Sequence, residues 1–187
     1  VERTRETLRE YRAMSRDEQG AAKDIGGFVG GRLNGTRRCR EAVADRCLVT
    51  LDADSAQPDT WDAVLVSWEE GAMCCYSTHS STPEKPRLRF VIPLKRAVTP
   101  EEYPAVARKL AQKIGIDIMD SSTYDVCRLM YWPSCPMDGI PFFDVIEGEP
   151  VDPDRVLREY GLGEAWKDTT LWPIGKGEQE VVRKESR

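Results

Sequence analysis

The sequence predicts an α+β domain on the ferredoxin-like, RRM-like βαββαβ plan, with an N-terminal α/β appendage and a short C-terminal helical segment. The prediction rests on the order of its patterns: an apolar run ending in acids, a helical stripe, two further strand patterns, a second helical stripe and a last strand pattern. Length agrees, since 187 residues with 40% hydrophobic and 32% charged side chains suit one well-cored domain.

Arg3 to Ser15 is charged, with Leu8 and Tyr11 at helical spacing, and predicts a surface helix. The run Gly26-Gly27-Phe28-Val29-Gly30-Gly31 lacks both the dinucleotide fingerprint and a G-K-[ST] ending, so it reads as a turn or a tight backbone approach rather than a phosphate loop. Leu48-Val49-Thr50-Leu51 is apolar and partly β-branched, which predicts the first strand. After Pro58, Trp61, Val64, Leu65 and Trp68 form a helical stripe that Gly71 would stop. Met73 to Ser77 is the second strand, and Arg87 to Ile92, alternating basic and apolar residues before Pro93, is the third. Thr99 and Glu102 make a capping box around Pro100, and Tyr103, Val106, Ala107, Leu110 and Ile114 line one face of the second helix, which ends near Gly115. Cys127 to Trp132 is the fourth strand, closed by Pro133, and Asp152-Pro153 opens a short helix that Gly161 ends.

A net charge of -5 argues against tight binding of nucleic acid through a uniformly basic surface. The charge is unevenly placed: Arg32, Arg37, Arg38 and Arg40 cluster early and Lys85, Arg87, Arg89, Lys95 and Arg96 cluster mid-chain. Six cysteines, none in a C-x-x-C pair, and a single histidine disfavour a structural zinc site and predict reduced thiols in a cytoplasmic protein. No apolar run approaches the roughly 20 residues that cross a bilayer, so no membrane partner is expected.

Residues two apart on a strand share a face, so Asp52 and Asp54 present paired carboxylates at a strand end. Such a pair repels itself unless a divalent cation bridges it, and hard oxygen ligands suit Mg²⁺ or Mn²⁺. The lone His79 follows Ser77-Thr78 in a hydroxyl-rich loop, and Lys85, Arg87 and Arg89 return towards it if the second and third strands form a hairpin. Asp117 and Asp120 are two candidates for a third acid; on the ferredoxin-like plan the first and last strands are neighbours, which brings an acid entering the fourth strand beside Asp52 and Asp54.

Three elements in this order, Leu51-Asp52-Ala53-Asp54, Ser77-Thr78-His79 and a later Asp before the Arg-containing run Arg128-Leu129-Met130-Tyr131-Trp132, resemble the archaeo-eukaryotic primase superfamily. The likeness spans roughly Phe28 to Leu157 and is greatest to the primase-polymerase domains of phages, plasmids and mobile elements. It implies a DNA-templated nucleotidyltransferase, primase or DNA polymerase, working by two-metal phosphoryl transfer. Carried over, it implies Asp52, Asp54 and Asp120 as catalytic ligands of two Mg²⁺ or Mn²⁺ ions, and His79, with Ser77, Lys85, Arg87, Arg89 and Arg128, as nucleotide contacts. The implied partners are nucleoside triphosphates, a single-stranded DNA template and a helicase domain following in the full-length protein. The catalytic domain is then expected over residues 1–170, with an N-terminal lobe to about 47 and a palm over about 48–135, and 171–187 as a tail or linker. Competing readings are a non-catalytic RRM-like module, which needs exposed aromatics on its central strands, an initiator nuclease with paired histidines, and a silent relative that recognises an origin.

Overall fold

The computed structural model describes residues 1–178. From the N-terminus it forms β1 (Glu2–Arg3), α1 (Leu8–Ala13), α2 (Arg16–Lys23), β2 (Gly27–Phe28), β3 (Gly31–Leu33), β4 (Val43–Ala53), α3 (Thr60–Ser67), β5 (Met73–Ser77) and β6 (Leu88–Val98). It continues with α4 (Glu102–Ile114), β7 (Met130–Tyr131), β8 (Ser134–Cys135), β9 (Phe143–Ile146) and α5 (Pro153–Arg158). Where one surface helix was expected there are two short ones, each opened by a capping box: Thr7 with Glu10, and Ser15 with Glu18.

The α+β class stands. β4, α3, β5, β6 and α4 follow the split βαβ plan, and an antiparallel five-stranded sheet runs β3-β4-β6-β5-β9. Its lower face is dry: Leu51, Phe90 and Cys75 stand in one row across β4, β6 and β5, wholly buried beside Trp61 and Val64 of α3 and Val106 and Leu110 of α4. Trp61 stacks on Phe90 with ring centroids 6.3 Å apart. Leu65, expected on the buried stripe, is instead 48% exposed. The third strand runs past Pro93 because the β4–β6 register breaks between Arg46 and Leu48, so the missing N–H falls at an irregular point of the ladder, while Pro93 O accepts from Val151 N–H at 2.9 Å.

The fourth strand departs from expectation. Of Cys127 to Trp132 only β7 is extended, and it pairs with β2 in a separate ribbon, not with β4. The edge of β4 that the plan reserves for a fourth strand is closed by the turn Ser121–Tyr124 and the residues before it. Thr123 Oγ1 donates to Thr50 O at 2.8 Å and accepts from Asp52 N–H at 3.1 Å, Asp120 N–H donates to Asp52 O at 2.8 Å, and Met119 bridges Ala53. A hydroxyl and a few backbone contacts thus do the work of a ladder, which no strand pattern announces.

The N-terminal segment is joined to the rest of the fold: position 47 lies inside β4, β1 pairs with β8, and β3 pairs with β4 at the edge of the main sheet. Gly30 and Gly31 are close approaches, since a Cβ on Gly31 would lie 1.9 Å from Asp45 O and one on Gly30 2.7 Å from Leu48 Cβ. The wholly buried Arg46 locks this region, donating to Gly30 O, Val126 O, Leu48 O and Thr50 Oγ1 while lying 4.0 Å from the Tyr103 ring centroid. Of the expected tail, residues up to 178 run against α4: Arg108 donates to Pro173 O at 3.0 Å and pairs with Glu178 at 2.7 Å. Residues 179–187 lie outside the described residues.

Thr123→Val keeps the side-chain volume but leaves the Asp52 N–H and the Thr50 carbonyl without partners in the interior. A loss of about 2–3 kcal/mol in unfolding free energy is expected in urea titrations; a loss under about 0.5 kcal/mol would show that the latch is dispensable.

Candidate active site

On its upper face the sheet carries charge. Asp52 is the register partner of Arg89, and Arg89 of Tyr76, so a carboxylate, a guanidinium and a phenol stand in one row above the dry one. Arg89 Nε donates to Asp52 Oδ1 at 2.6 Å, and Arg89 Nη1 to Tyr131 O at 2.6 Å. Burial works against the Arg89 cation, but Asp52 and Tyr76 more than offset it and hold its pKa above the usual value. This row floors a cleft of about 1180 Å³.

All three acids line that cleft, as do His79, Lys85, Arg87, Arg89 and Arg128. Each carboxylate faces a guanidinium: Asp52 the buried Arg89, Asp54 the half-exposed Arg87, and Asp120 Arg128 at 3.4 Å. Asp120 also caps the following turn, accepting from Ser122 N–H at 3.0 Å and Ser122 Oγ at 2.6 Å. Asp117, the other candidate, points away and pairs with Lys176 at 2.9 Å.

Ser77 does not line the cleft. It has the parity of Cys75 and Met73, so it faces the core side, where its hydroxyl accepts from Phe142 N–H at 2.8 Å. His79, just past the strand end, is 5% exposed and both ring nitrogens are engaged, Nε2 with Glu6 Oε1 at 3.1 Å and Nδ1 with Ser134 Oγ at 2.9 Å. A carboxylate only accepts, so Nε2 carries the proton and Nδ1 accepts from the Ser134 hydroxyl. The Tyr11 ring of α1 lies 4.5 Å from the imidazole.

The sequence reading missed the wall opposite the sheet. Arg12, Arg16 and Lys23 of the first two helices line the cleft, with Arg38 beside them. Among the described residues none of the four has an acidic partner in an ion pair. Lys23 is pushed below its ordinary pKa, first by burial and then by Arg87, Arg89 and Arg128 across the cleft. The two capping boxes, readable as Thr7-x-x-Glu10 and Ser15-x-x-Glu18, were the signal that would have placed these cations on two helices.

A divalent metal finds suitable chemistry here: three anionic oxygen donors on one cleft, with the backbones of Asp52 and Asp120 directly hydrogen-bonded. They do not stand as a ready cage, because among the described residues no three His, Cys, Asp or Glu side chains group closely enough to hold an ion. The arginines fill the positions that cations would neutralise.

The family model described as the VapE N-terminal domain matches residues 1–175. The chain belongs to the VapE N-terminal domain family. The fold of this VapE N-terminal domain is shared with the AEP domain of the cyanophage S-2L primase-polymerase, at TM-score 0.50 and 14% identity over 83% of this chain and 85% of that one. No curated protein matches the chain. The fold that the motif resemblance implies is therefore the one this domain shares with a primase-polymerase AEP domain. The RRM-like reading loses its ground: Phe90 faces the core and is fully buried, Tyr76 is 4% exposed, and the central strands of the VapE N-terminal domain present charge to the cleft. Among the described residues no helix is long and apolar enough to cross a membrane.

Burial is the largest influence on His79 and lowers its pKa; the opposing pull of Glu6 is weaker. Glu6 is itself lowered: burial raises it, but hydrogen bonds from Thr4 and the backbone, together with His79, more than offset that. A histidine whose folded-state pKa lies below its ordinary 6.5 resists protonation, so stability is full above that pH and declines as pH falls through it. Glu6 has the same sign in a lower window, below its ordinary 4.5. Urea unfolding between pH 7 and 5 is expected to show this decline in the wild type and a flatter profile in His79→Gln; identical profiles would place the acid-sensitive group elsewhere.

Proposed function

We propose that this domain is a DNA-templated nucleotidyltransferase, a primase or polymerase, acting in the replication of a phage or other mobile element. The single observation that carries the reading is the convergence of Asp52, Asp54 and Asp120 on one cleft whose other charged lining residues, Glu84 apart, are basic. The family membership and the fold shared with a primase-polymerase domain support it.

The reaction is attack of a 3′-hydroxyl on the α-phosphate of an incoming nucleotide, with pyrophosphate leaving. Asp52, Asp54 and Asp120 would hold Mg²⁺ or Mn²⁺, which when bound supply charge neutralisation at the attacking and leaving oxygens. The protein's own part is positioning and electrostatics. Asp52 is fixed by Arg89 on the rigid floor of the sheet, whereas Asp54 and Asp120 sit at the rim with more than a quarter of their side chains exposed. Arg87, Arg128 and Lys85 are the cations available to a triphosphate. A phosphate oxygen can replace Glu6 as the acceptor of the His79 Nε2 proton, since both are oxyanions. Template and a following helicase domain complete the proposed partners.

Extension of a primed single-stranded template with labelled nucleotides and Mn²⁺ tests the reading. Asp54→Asn is the cleaner variant, because Asp52→Ala would strand a buried Arg89 at a cost of about 3–5 kcal/mol and confuse misfolding with lost chemistry. Asp54→Asn is expected to cut extension more than about a hundredfold with an unchanged unfolding midpoint. Undiminished extension, or a wild-type domain that binds neither nucleotide nor template, overturns the proposal.

The arginines also compete with cations for the rim carboxylates. Arg87→Gln is expected to tighten Mn²⁺ binding, read by paramagnetic resonance without nucleotide, by about threefold to fivefold, the worth of a half-exposed ion pair. Equal affinity would remove that competition. A second reading, nucleic-acid binding without catalysis, is favoured by the arginine pairing of all three acids, and the extension assay separates it from the first.

A further inference from the structure

The Gly-rich run and β7, the extended part of the expected fourth strand, neither of which the proposed chemistry uses, meet beside the cleft. β2 and β7 pair antiparallel, Gly27 opposite Tyr131 and Phe28 opposite Met130, and Trp132 N–H donates to Gly26 O at 3.0 Å. Two glycines make this possible. A Cβ on Gly27 would lie 2.5 Å from Met130 O, and Gly26, at φ +94°, passes so close beneath Trp132 that a Cβ would lie 3.3 Å from the indole Cδ1. Trp132 is thereby laid on Phe28, ring centroids 4.7 Å apart and planes 29° apart.

Trp132 is nevertheless 49% exposed, and it lines the cleft. Burying a large aromatic stabilises a fold, so one that is stacked on another ring and still half in solvent has a face left to offer. Beside it stand cations without acidic partners among the described residues: Lys23, whose Nζ lies 5.2 Å from the Tyr131 ring centroid, Arg12, Arg16, and Arg38, whose Nη1 donates to Cys127 O at 2.8 Å. In a chain of net charge -5 this concentration of unpaired cations is a local exception. An exposed aromatic face flanked by a basic track is the chemistry that holds single-stranded nucleic acid, bases on rings and phosphates along cations.

We propose that Trp132, backed by Phe28, is the stacking platform for a base of a single strand entering the cleft, and that Arg12, Arg16 and Lys23 track its phosphates. The inference rests on the reading of the cleft as a nucleic-acid site and names the surface that holds the strand.

The test is fluorescence anisotropy of a labelled oligothymidylate, with nucleoside triphosphate binding measured separately by calorimetry in the presence of Mn²⁺. Trp132→Ala is expected to weaken strand binding about fivefold to thirtyfold while triphosphate binding stays unchanged, and Trp132→Phe to restore most of the loss. A 2-aminopurine base in the strand should be quenched on binding the wild type and not on binding Trp132→Ala. Lys23→Gln should lower the slope of log affinity against log salt by about 0.7. Equal strand affinity in wild type and Trp132→Ala overturns the platform, and so does a loss confined to triphosphate binding, which would assign the ring to the incoming nucleotide. A wild type that binds triphosphate but no strand also overturns it; a wild type that binds neither fails the underlying reading instead.

Discussion

Alternation along paired strands governs this molecule. β4, β6 and β5 are held in a register that sets Leu51, Phe90 and Cys75 in one row and Asp52, Arg89 and Tyr76 in the other. A slip of one residue would drive Arg89 into the apolar layer beneath α3 and α4 and turn Phe90 out to the cleft. Fully burying a phenylalanine is worth about 1.5–3 kcal/mol, and a buried unpaired guanidinium costs more than that. The hydrophobic row therefore fixes the register, and the position of the charged row is a consequence. Chemistry on the upper face is positioned by packing on the lower one.

The same rule explains what could be read from the sequence and what could not. Asp52 and Asp54 were legible because strand period alone puts them on one side, and the limits of β5 matched the pattern of Met73 to Ser77. The direction of Ser77 was also present in the pattern: its parity with Cys75 sends it to the core side, while His79, two residues on, reaches the cleft because the strand has ended. The fourth strand was illegible for a different reason. Its place beside β4 is taken by a side-chain hydroxyl, an isolated bridge at Met119 and the Asp120 N–H, and Thr123 carries no pattern that distinguishes it from any other turn threonine. Asp120 still arrives beside Asp52, because the connection from α4 must return along that edge whether or not it forms a strand.

Electrostatics then grades the site from floor to rim. Asp52 and Arg89 are each 8% exposed at the side chain, and removing either partner would leave a charge in a poorly solvated place, so that pair is effectively permanent. Asp54 with Arg87 is about 40% exposed on both sides, a contact that water and competing ions can dissolve at little cost. A cleft built this way keeps one carboxylate immobile as a reference point and leaves the others free to change partners. It also lets an acidic chain present a positive cleft, because Asp52, Asp54 and Asp120 are paired with their own arginines and, among the described residues, the cations without acidic partners outnumber Glu84 there, which suits the polyanionic ligand proposed above.

The N-terminal residues belong to this cleft as much as the sheet does. β1 docks on β8 beside Ser134, Glu6 and Tyr11 enclose His79, and α2 supplies Lys23 to the wall facing Arg87 and Arg89. β2 then holds the ribbon that seats Trp132. None of these elements exceeds eight residues, too short to persist alone in water, so their order derives from contacts with the sheet and the loops beyond it. The dependence runs both ways: the sheet gives the N-terminal segment its structure, and the segment gives the sheet's charged face a wall to work against.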